Sequence, residues 1–597
     1  MDKRIVARSV SSRATAQSLQ PSSRWIVAPW QDLVLFVGTP LLIIPAFLAA
    51  QTRWRVEELS LFVASFGAIG HHLPGMLRAY GDRALFQRFR WRFRLAPVFL
   101  AATCLLFALR DLNGIVLVVY FWGVWHGLMQ TYGFLRIYDS KLGPSSPLTA
   151  RLDHAMCVTW FATAVLVSPS RTTNILSLFY TSGGPLLAVS TIEALRTTAV
   201  YLTGVVTLAF LLHSAWMWHR GRPVSSVKLV LMASSIGFFW YANVVVGNML
   251  AGIALFEVFH DVQYLSIVWI YNVNRVQKDR GVGAFTRFLF RRSGALVGVY
   301  VGLVAAYGSL NLVSTVMATG LLNRMLTGLL AASALLHFYY DGFIWKVRER
   351  TTRQSLGLGG GTPDRAPAVG PGWLIHGAKW SLFVLPVAML GFAEAQGRAP
   401  ELDRARAIAQ AAPASAQAQE HFGVLLASAG RSDEAVARLR EAVRLDPDNA
   451  EAQSNLGVAL GHIGRLAEAV THYREAIRID PLDALTQTNL GNALSKMGEF
   501  PEAIRHFEAA LRVSPNRVDT HIDWGAALLK LDALDEAIGH FREALRISPH
   551  DPQALANLAI ARDLQDRRRS MSPGGEGLVP STSGSRGMRS GKPSLER

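Results

Sequence analysis

A 34-residue period is the feature that most narrows the fold of this chain. It runs without a gap from residue 416 to residue 551 and completes four cycles. Its fixed positions are Gly423, Gly457, Gly491 and Gly525; Ala435, Ala469, Ala503 and Ala537; Leu439, Tyr473, Phe507 and Phe541; and Pro447, Pro481, Pro515 and Pro549. Small residues let the two helices of a unit approach closely, and proline ends the second helix. The period therefore predicts a stack of helical hairpins, which is an all-α solenoid.

This pattern resembles the tetratricopeptide-repeat (TPR) family across the whole of residues 416–551. We expect the solenoid to occupy residues 400–569, with segments 401–412 and 551–569 as capping helices. The resemblance implies a groove that binds a protein or a peptide, and it implies no catalytic chemistry. A spacer or an oligomerisation arm is the alternative interpretation.

The remainder of the chain has a different composition. Residues 1–395 hold nearly all the long apolar runs and carry 35 Lys and Arg against 16 Asp and Glu, whereas residues 396–597 carry 25 against 27. The basic residues fall between apolar segments, as the positive-inside rule of membrane proteins predicts, so we expect no nucleic-acid partner. The predicted domains are a basic cytoplasmic tail (1–24), a polytopic membrane domain (25–395), the TPR solenoid (400–569) and a disordered Ser/Gly/Arg-rich tail (570–597).

Eleven apolar segments are each nearly long enough to cross the ~30 Å hydrocarbon core of a lipid bilayer. They lie near residues 30–50, 58–78, 95–110, 114–136, 153–169, 197–218, 227–247, 249–273, 294–318, 325–345 and 373–393. With the N-terminus inside, the inside segments carry 28 Lys and Arg and the outside loops carry 6. In a bacterium this charge bias predicts an inner-membrane protein with a cytoplasmic N-terminus and a periplasmic TPR domain.

One inside loop alternates arginine with aromatic residues, at Arg88, Arg90, Arg92 and Arg94. The loop predicts contact with anionic lipid head groups. Ordinary anchoring at the membrane interface by basic and aromatic residues is the simpler interpretation.

Four predicted spans carry histidine at a similar depth. They contribute the pair His71 and His72, then His126, His260 and His337, and all four spans run from outside to inside. Carboxylates accompany two of them on the same helical face, Glu257 before His260 and Asp341 after His337. Charged groups in a bilayer are costly unless they meet partners, so the sequence predicts that these side chains converge.

Imidazole and carboxylate ligands from several helices suit iron, zinc or copper. The predicted metal ligands are His71, His72, His126, Glu257, His260, His337 and Asp341, and the predicted supporting residues are Gln130, Asp261 and Tyr264. We expect one metal ion, iron in the first place, that activates dioxygen against a lipid-soluble substrate. The arrangement is distantly similar to histidine-rich membrane oxygenases such as carotenoid-cleaving dioxygenases and desaturases, although the clustered histidine boxes of desaturases are absent.

Other interpretations use the same residues. Two histidines on different spans can ligate haem, a chain of ionisable groups can relay protons or ions, and polar side chains can simply join helices. A different enzyme class is a glycosyltransferase that uses a lipid-linked sugar, with the acidic pair Glu57 and Glu58 in the first outside loop. A membrane scaffold or transporter that recruits proteins through the TPR arm is a non-enzymatic alternative.

Overall fold

A computed structural model gives the fold for most of the chain. It describes residues 24–143, 146–278, 282–291, 293–316, 320–344, 355–356, 358 and 372–571, and these residues form helices without any strand. Three segments lie outside the described residues: nearly all of the predicted basic tail, most of the Gly/Pro-rich segment 355–372, and nearly all of the predicted C-terminal tail. The chain divides into two compact units, Met1–Phe422 and Gly423–Arg597.

The described residues of the first unit form long helices together with several short ones. They are α1 Pro29–Asp32, α2 Thr39–Gln51, α3 Val56–Phe62, α4 His72–Gly81, α5 Arg83–Arg88, α6 Arg90–Leu109, α7 Gly114–Leu142, α8 Pro147–Val167, α9 Pro169–Thr181, α10 Val189–His219, α11 Ser226–Trp240, α12 Met249–Lys278, α13 Ala284–Leu289, α14 Gly294–Val316, α15 Leu321–Ile344, α16 Gly372–Gln396 and α17 Glu401–Ala411. Stretches of π-helix extend α1, α3 and α11 at Leu33–Val37, Val63–Ile69 and Tyr241–Val245.

The prediction of eleven spans was too high. Among the described residues, eight helices are long and apolar enough to cross a membrane, and a ninth span is possible if the pair Pro29–Val37 and Thr39–Gln51, bent by 54°, counts as one. The predicted second span, 58–78, is interrupted because the π-helix Val63–Ile69 and a turn separate α3 from α4. The predicted fifth span lies in α8, whose first part carries Arg151, Asp153 and His154 and is therefore less apolar.

Buried ionic contacts join the ends of the long helices. Lys228 of α11 lies 3.0 Å from Asp139 of α7 and 3.2 Å from Asp153 of α8. At the opposite end of α7, the carboxylate of Glu394 on α16 accepts hydrogen bonds from the backbone N–H groups of Asn113 and Gly114. A carboxylate at a helix N-terminus satisfies free N–H groups and complements the helix dipole, so these contacts fix α7 at both ends.

The repeats form the predicted helical hairpins. Their helices are α18 Ala416–Ser428, α19 Ser432–Leu445, α20 Ala450–His462, α21 Leu466–Ile479, α22 Ala484–Met497, α23 Phe500–Val513, α24 Val518–Lys530, α25 Leu534–Ile547 and α26 Pro552–Met571. In each repeat the large side chain of the second helix packs against the glycine of the first helix. A Cβ on Gly491, for example, would lie 2.5 Å from Cε1 of Phe507. The repeated alanines are fully buried, with Ala469 and Ala503 at 0% exposure. The period therefore marks the contacts between helices.

A histidine contact recurs along the repeats and changes at the last one. Nδ1 of His472 lies 2.8 Å from Oε1 of Gln453, and His506 makes the same contact with Gln487. In the fourth repeat His521 replaces the glutamine, and its Nδ1 lies 3.1 Å from Nδ1 of His540. His521 also lies 3.1 Å from the Pro515 carbonyl through Nε2, which must donate. Its Nδ1 is then the acceptor, and Nδ1 of His540 is the donor.

This histidine pair predicts that the solenoid loses stability in mild acid. Burial and the neighbouring His521 lower the pKa of His540 from its ordinary 6.5 to about 4. As pH falls from about 7 towards 4, the unfolded chain takes up a proton that the folded chain does not, so the free energy of unfolding decreases across that window. His521→Gln, which reproduces the neighbouring repeats, should reduce this loss when urea midpoints at pH 7.5 and pH 4.5 are compared. Equal losses in both proteins would contradict the assignment.

Candidate metal centre

Four segments of the first unit bring five histidines together. His71 lies in the turn that follows the π-helix Val63–Ile69, and His72 is the first residue of α4. The other three come from the middle of long helices, namely His126 of α7, His260 of α12 and His337 of α15. All five side chains are buried, with exposures between 0% and 8%. π-Helical segments often occur at functional sites, and here one sets the position of His71 and His72.

Four of the imidazole groups form a closed cycle of neighbours. In order around the cycle they are His71, His260, His126 and His337, and the centroids of successive members lie 5.0, 4.9, 4.6 and 4.7 Å apart. His71 and His126 lie opposite each other, at 6.3 Å and nearly parallel. The planes of neighbouring imidazoles make angles of 68° to 84° with each other. We call these four residues the histidine ring.

The ring nitrogens of these residues are arranged as potential ligand atoms. Nδ1 of His71 lies 2.8 Å from Oδ1 of Asp261 and 3.1 Å from the carbonyl of Gly67, while its Nε2 is buried without a hydrogen-bond partner. Nε2 of His260 is likewise buried and unpartnered. Nε2 of His126 and Nε2 of His337 lie 3.1 Å apart. A carboxylate that fixes one imidazole nitrogen and leaves the other free is the usual support of a metal-binding histidine.

Asp341 lies beside the histidine ring. Its Oδ2 is 3.6 Å from Nε2 of His337 and 3.9 Å from Nε2 of His126, and its Oδ1 accepts a hydrogen bond of 3.1 Å from the hydroxyl of Tyr264. Two groups of possible ligand atoms therefore converge, His71 with His126 and His260, and His126 with His337 and Asp341. Within each group the ligand atoms lie within 4.8 Å of one another.

Two predicted ligands are placed differently. His72 stacks on His337 at 4.9 Å, but its Nδ1 lies 3.1 Å from the hydroxyl of Ser333, which also contacts the hydroxyl of Tyr307. Glu257 is in neither converging group of the described residues. Its position one turn before Asp261 on α12 leaves Asp261 as the carboxylate that contacts His71.

The predicted supporting residues also have distinct positions. Asp261 and Tyr264 contact His71 and Asp341, as described above. Gln130 instead donates to the backbone carbonyl of His260 at 3.1 Å and to Oε1 of Gln263 at 3.3 Å, so it joins α7 to α12 through these groups and not through the His260 imidazole. Of the loop arginines, Arg88, Arg90 and Arg94 are exposed. The guanidinium of Arg92 is half-buried over the rings of Phe89 and Phe343.

Sequence reasoning missed the residues that allow the helices to approach. Gly75 of α4 is one of them, because a Cβ there would lie 3.2 Å from Nδ1 of His337 and 3.2 Å from the hydroxyl of Tyr264. Ser333, which holds His72, was also missed. Their spacing could have indicated them. Gly75 follows His72 by three residues and Ser333 precedes His337 by four, so each lies on the same helical face as a histidine.

Comparison with known proteins identifies the second part of the chain. The sequence profile of the tetratricopeptide repeat family matches residues 422–484 and 488–552. This segment is a tetratricopeptide-repeat domain. The TPR match covers less than a quarter of the chain and does not include the histidine ring. A search of curated proteins found no match.

Similar solved structures cover the same part. A crystal structure of MamA is 25% identical and covers 25% of this chain and 86% of its own, with a TM-score of 0.24. MamA from Desulfovibrio magneticus RS-1 is 20% identical over 26% of this chain and 88% of its own, with a TM-score of 0.25. YrrB, described as a TPR protein with an unusual peptide-binding site, is 19% identical over 30% and 88%, with a TM-score of 0.24.

Proposed function

We propose that this protein is an integral membrane oxidoreductase that holds one non-haem metal ion, iron in the first place, and acts on a lipid-soluble substrate. The observation that carries the proposal is the histidine ring, whose members fall into two converging groups of buried ligand atoms that share His126, one of them with Asp341. Several imidazoles with one carboxylate form the donor set typical of non-haem iron, which supplies the redox couple that activates dioxygen. The metal would be held by His71, His126, His260 and His337, with Asp341 as a further ligand.

The size of the histidine ring suits a single ion. An imidazole nitrogen bound at ~2 Å places its ring centroid about 3.2 Å from the metal. The 6.3 Å between the His71 and His126 centroids is about twice this distance, so the spacing is compatible with an ion between the two imidazoles. His260 and His337 are also neighbours of both rings, with centroid distances of 4.6 to 5.0 Å, which favours a small ion over a haem at this place.

Metal analysis of the purified protein tests the proposal. Full-length protein purified in detergent and supplied with ferrous iron without oxygen should retain about one iron per chain after desalting, as expected for one closed set of ligands. Its optical spectrum should show no Soret band. Folded protein that retains no metal, or that carries a Soret band, would overturn the assignment.

The glycosyltransferase alternative has less support from the structure. Glu57 and Glu58 lie in the first turn of α3 and are exposed. The Glu58 carboxylate accepts a hydrogen bond of 3.0 Å from the backbone of Arg55, which is a capping contact at the start of the helix. Exchange of these two residues for alanine should therefore leave the iron content of the purified protein unchanged.

The TPR domain is proposed to bind a protein or peptide on the periplasmic side of the inner membrane. The TPR assignment supports a protein partner, and the excess of basic residues in the predicted inside loops supports this orientation. A reporter that is active only in the periplasm should be active when fused after residue 395, and a reporter active only in the cytoplasm should be silent there. The reverse result would place the TPR domain in the cytoplasm.

A further inference from the structure

The histidine ring is not equally buried on all sides. His126 is the most exposed of the five histidines, at 8%, and the side chain of Asp341 is 10% exposed. By contrast, His337 is 0% exposed and His71 is 2% exposed. The most exposed side of the site is therefore the one where α7 and α15 carry His126 and Asp341.

A single aromatic side chain, that of Phe338, lies on this side of the site. The ring of Phe338 lies 4.9 Å from that of His126 and 6.2 Å from that of His72, measured between centroids. On its other side Phe338 meets Gly123 of α7, where a Cβ would lie 3.7 Å from the phenyl ring. Phe338 is itself only half-buried. The phenyl ring of Phe338 thus lies between His126 and the outside of the helix bundle.

The surface around Phe338 is open and apolar. Gly342, one turn further along α15, is exposed, and no atom lies within 4 Å of the position its Cβ would take. Both α7 and α15 are long and apolar enough to cross a membrane, so a surface between them would face the hydrocarbon core of a bilayer.

We infer that a lipid-soluble molecule reaches the metal site sideways from the membrane, between α7 and α15, when the Phe338 ring rotates away. This inference rests on the proposed function, because it concerns access to that metal. The occupant of the passage is an apolar, flat or chain-like molecule, since Phe338, Gly123 and Gly342 offer it no charge. A side-chain rotation is enough to open the passage, because Gly342 leaves space beside Phe338.

Two chelators of iron distinguish this route from an aqueous one. The protein is loaded with ferrous iron in lipid vesicles, and iron removal is followed with 1,10-phenanthroline, which dissolves in the membrane, and with EDTA, which does not. Phe338→Ala should accelerate removal by phenanthroline about tenfold, equivalent to a barrier lower by ~1.4 kcal/mol. Gly342→Phe should slow it by a similar factor, because a helical side chain covers the turn before its own Cα and so would lie against Phe338.

Matched variants serve as controls. Phe121→Ala removes an exposed phenyl ring from α7, and Gly133→Phe adds one where no atom lies within 4 Å of the Cβ position; neither should change the rate. The rates with EDTA should stay the same in all variants. Equal phenanthroline rates in Phe338→Ala and Phe121→Ala, or a parallel acceleration with EDTA, would overturn the lateral route. Absence of iron before chelator is added would instead overturn the proposed function, and the route with it.

Discussion

Replacement of any one member of the histidine ring should abolish stable iron binding. We expect His126→Ala, His260→Ala and His337→Ala each to lower the retained iron from about one per chain to less than about a tenth, because loss of one buried ligand weakens a metal site by at least 10- to 100-fold. His126 should have the largest effect, since it belongs to both converging groups of ligand atoms. Elemental analysis of the desalted proteins measures the result.

Gln130→Ala provides the matched control for His126→Ala. The two residues lie one turn apart on α7, and Gln130 contacts α12 through the backbone carbonyl of His260 and through Gln263, not through an imidazole. This variant should keep its iron. Insertion and helical content should be the same in all the variants. If the histidine variants retain iron as the wild type does, the ring is a structural polar cluster and not a ligand set.

Ala469→Leu should unfold the TPR domain at a much lower denaturant concentration. Ala469 is a fixed position of the 34-residue period and is 0% exposed on α21. Extra methyl groups at a filled position force neighbouring side chains from their preferred rotamers, at a cost of roughly 1–3 kcal/mol. The measurement is a circular-dichroism urea titration of the fragment 400–571. We expect the unmodified fragment to unfold cooperatively, because repeat units contact mainly their neighbours.

Ala467→Leu is the control for this variant, since Ala467 lies two residues earlier on the same helix and is exposed. Leucine and alanine have similar helix propensities, so this change should alter the free energy of unfolding by less than about 0.5 kcal/mol. Equal effects of the two variants would show that position 469 is not a tight helix contact. A fragment without a cooperative transition would contradict the independent folding of the solenoid.

Much of the candidate metal centre could be predicted from spacing on helices. His126, His260 and His337 lie within continuous helices, where the rise of 1.5 Å per residue fixes depth and the 3.6-residue period fixes the face. That reasoning also placed Asp341 and Tyr264 beside them, and the structure joins the two by a hydrogen bond. It treated Glu257 as a ligand because Glu257 shares the face of His260, but the face is wide enough that Asp261 contacts His71 instead.

The segment with His71 and His72 could not be derived in this way. It was predicted as part of one continuous span, and the structure divides it into a helix, a π-helix and a second helix. The register of side chains changes at such a break, so which histidine enters the ring depends on packing against α12 and α15. The contacts that decide it are His71 with Asp261 and His72 with Ser333, both far apart in the sequence.

The sequence by itself determined the elements whose physics is local. A period of 34 residues places small, aromatic and proline residues in fixed register, and each repeat contacts mainly its neighbours, so the solenoid follows from the period alone. Long apolar runs determined most of the candidate spans, because length and hydropathy are properties of a single segment. Only the tertiary structure decided which imidazole nitrogens converge, which carboxylate contacts His71, and that Phe338 packs beside His126. These depend on distances between helices, which are set by small residues such as Gly75 at the contacts and not by any pattern within one helix.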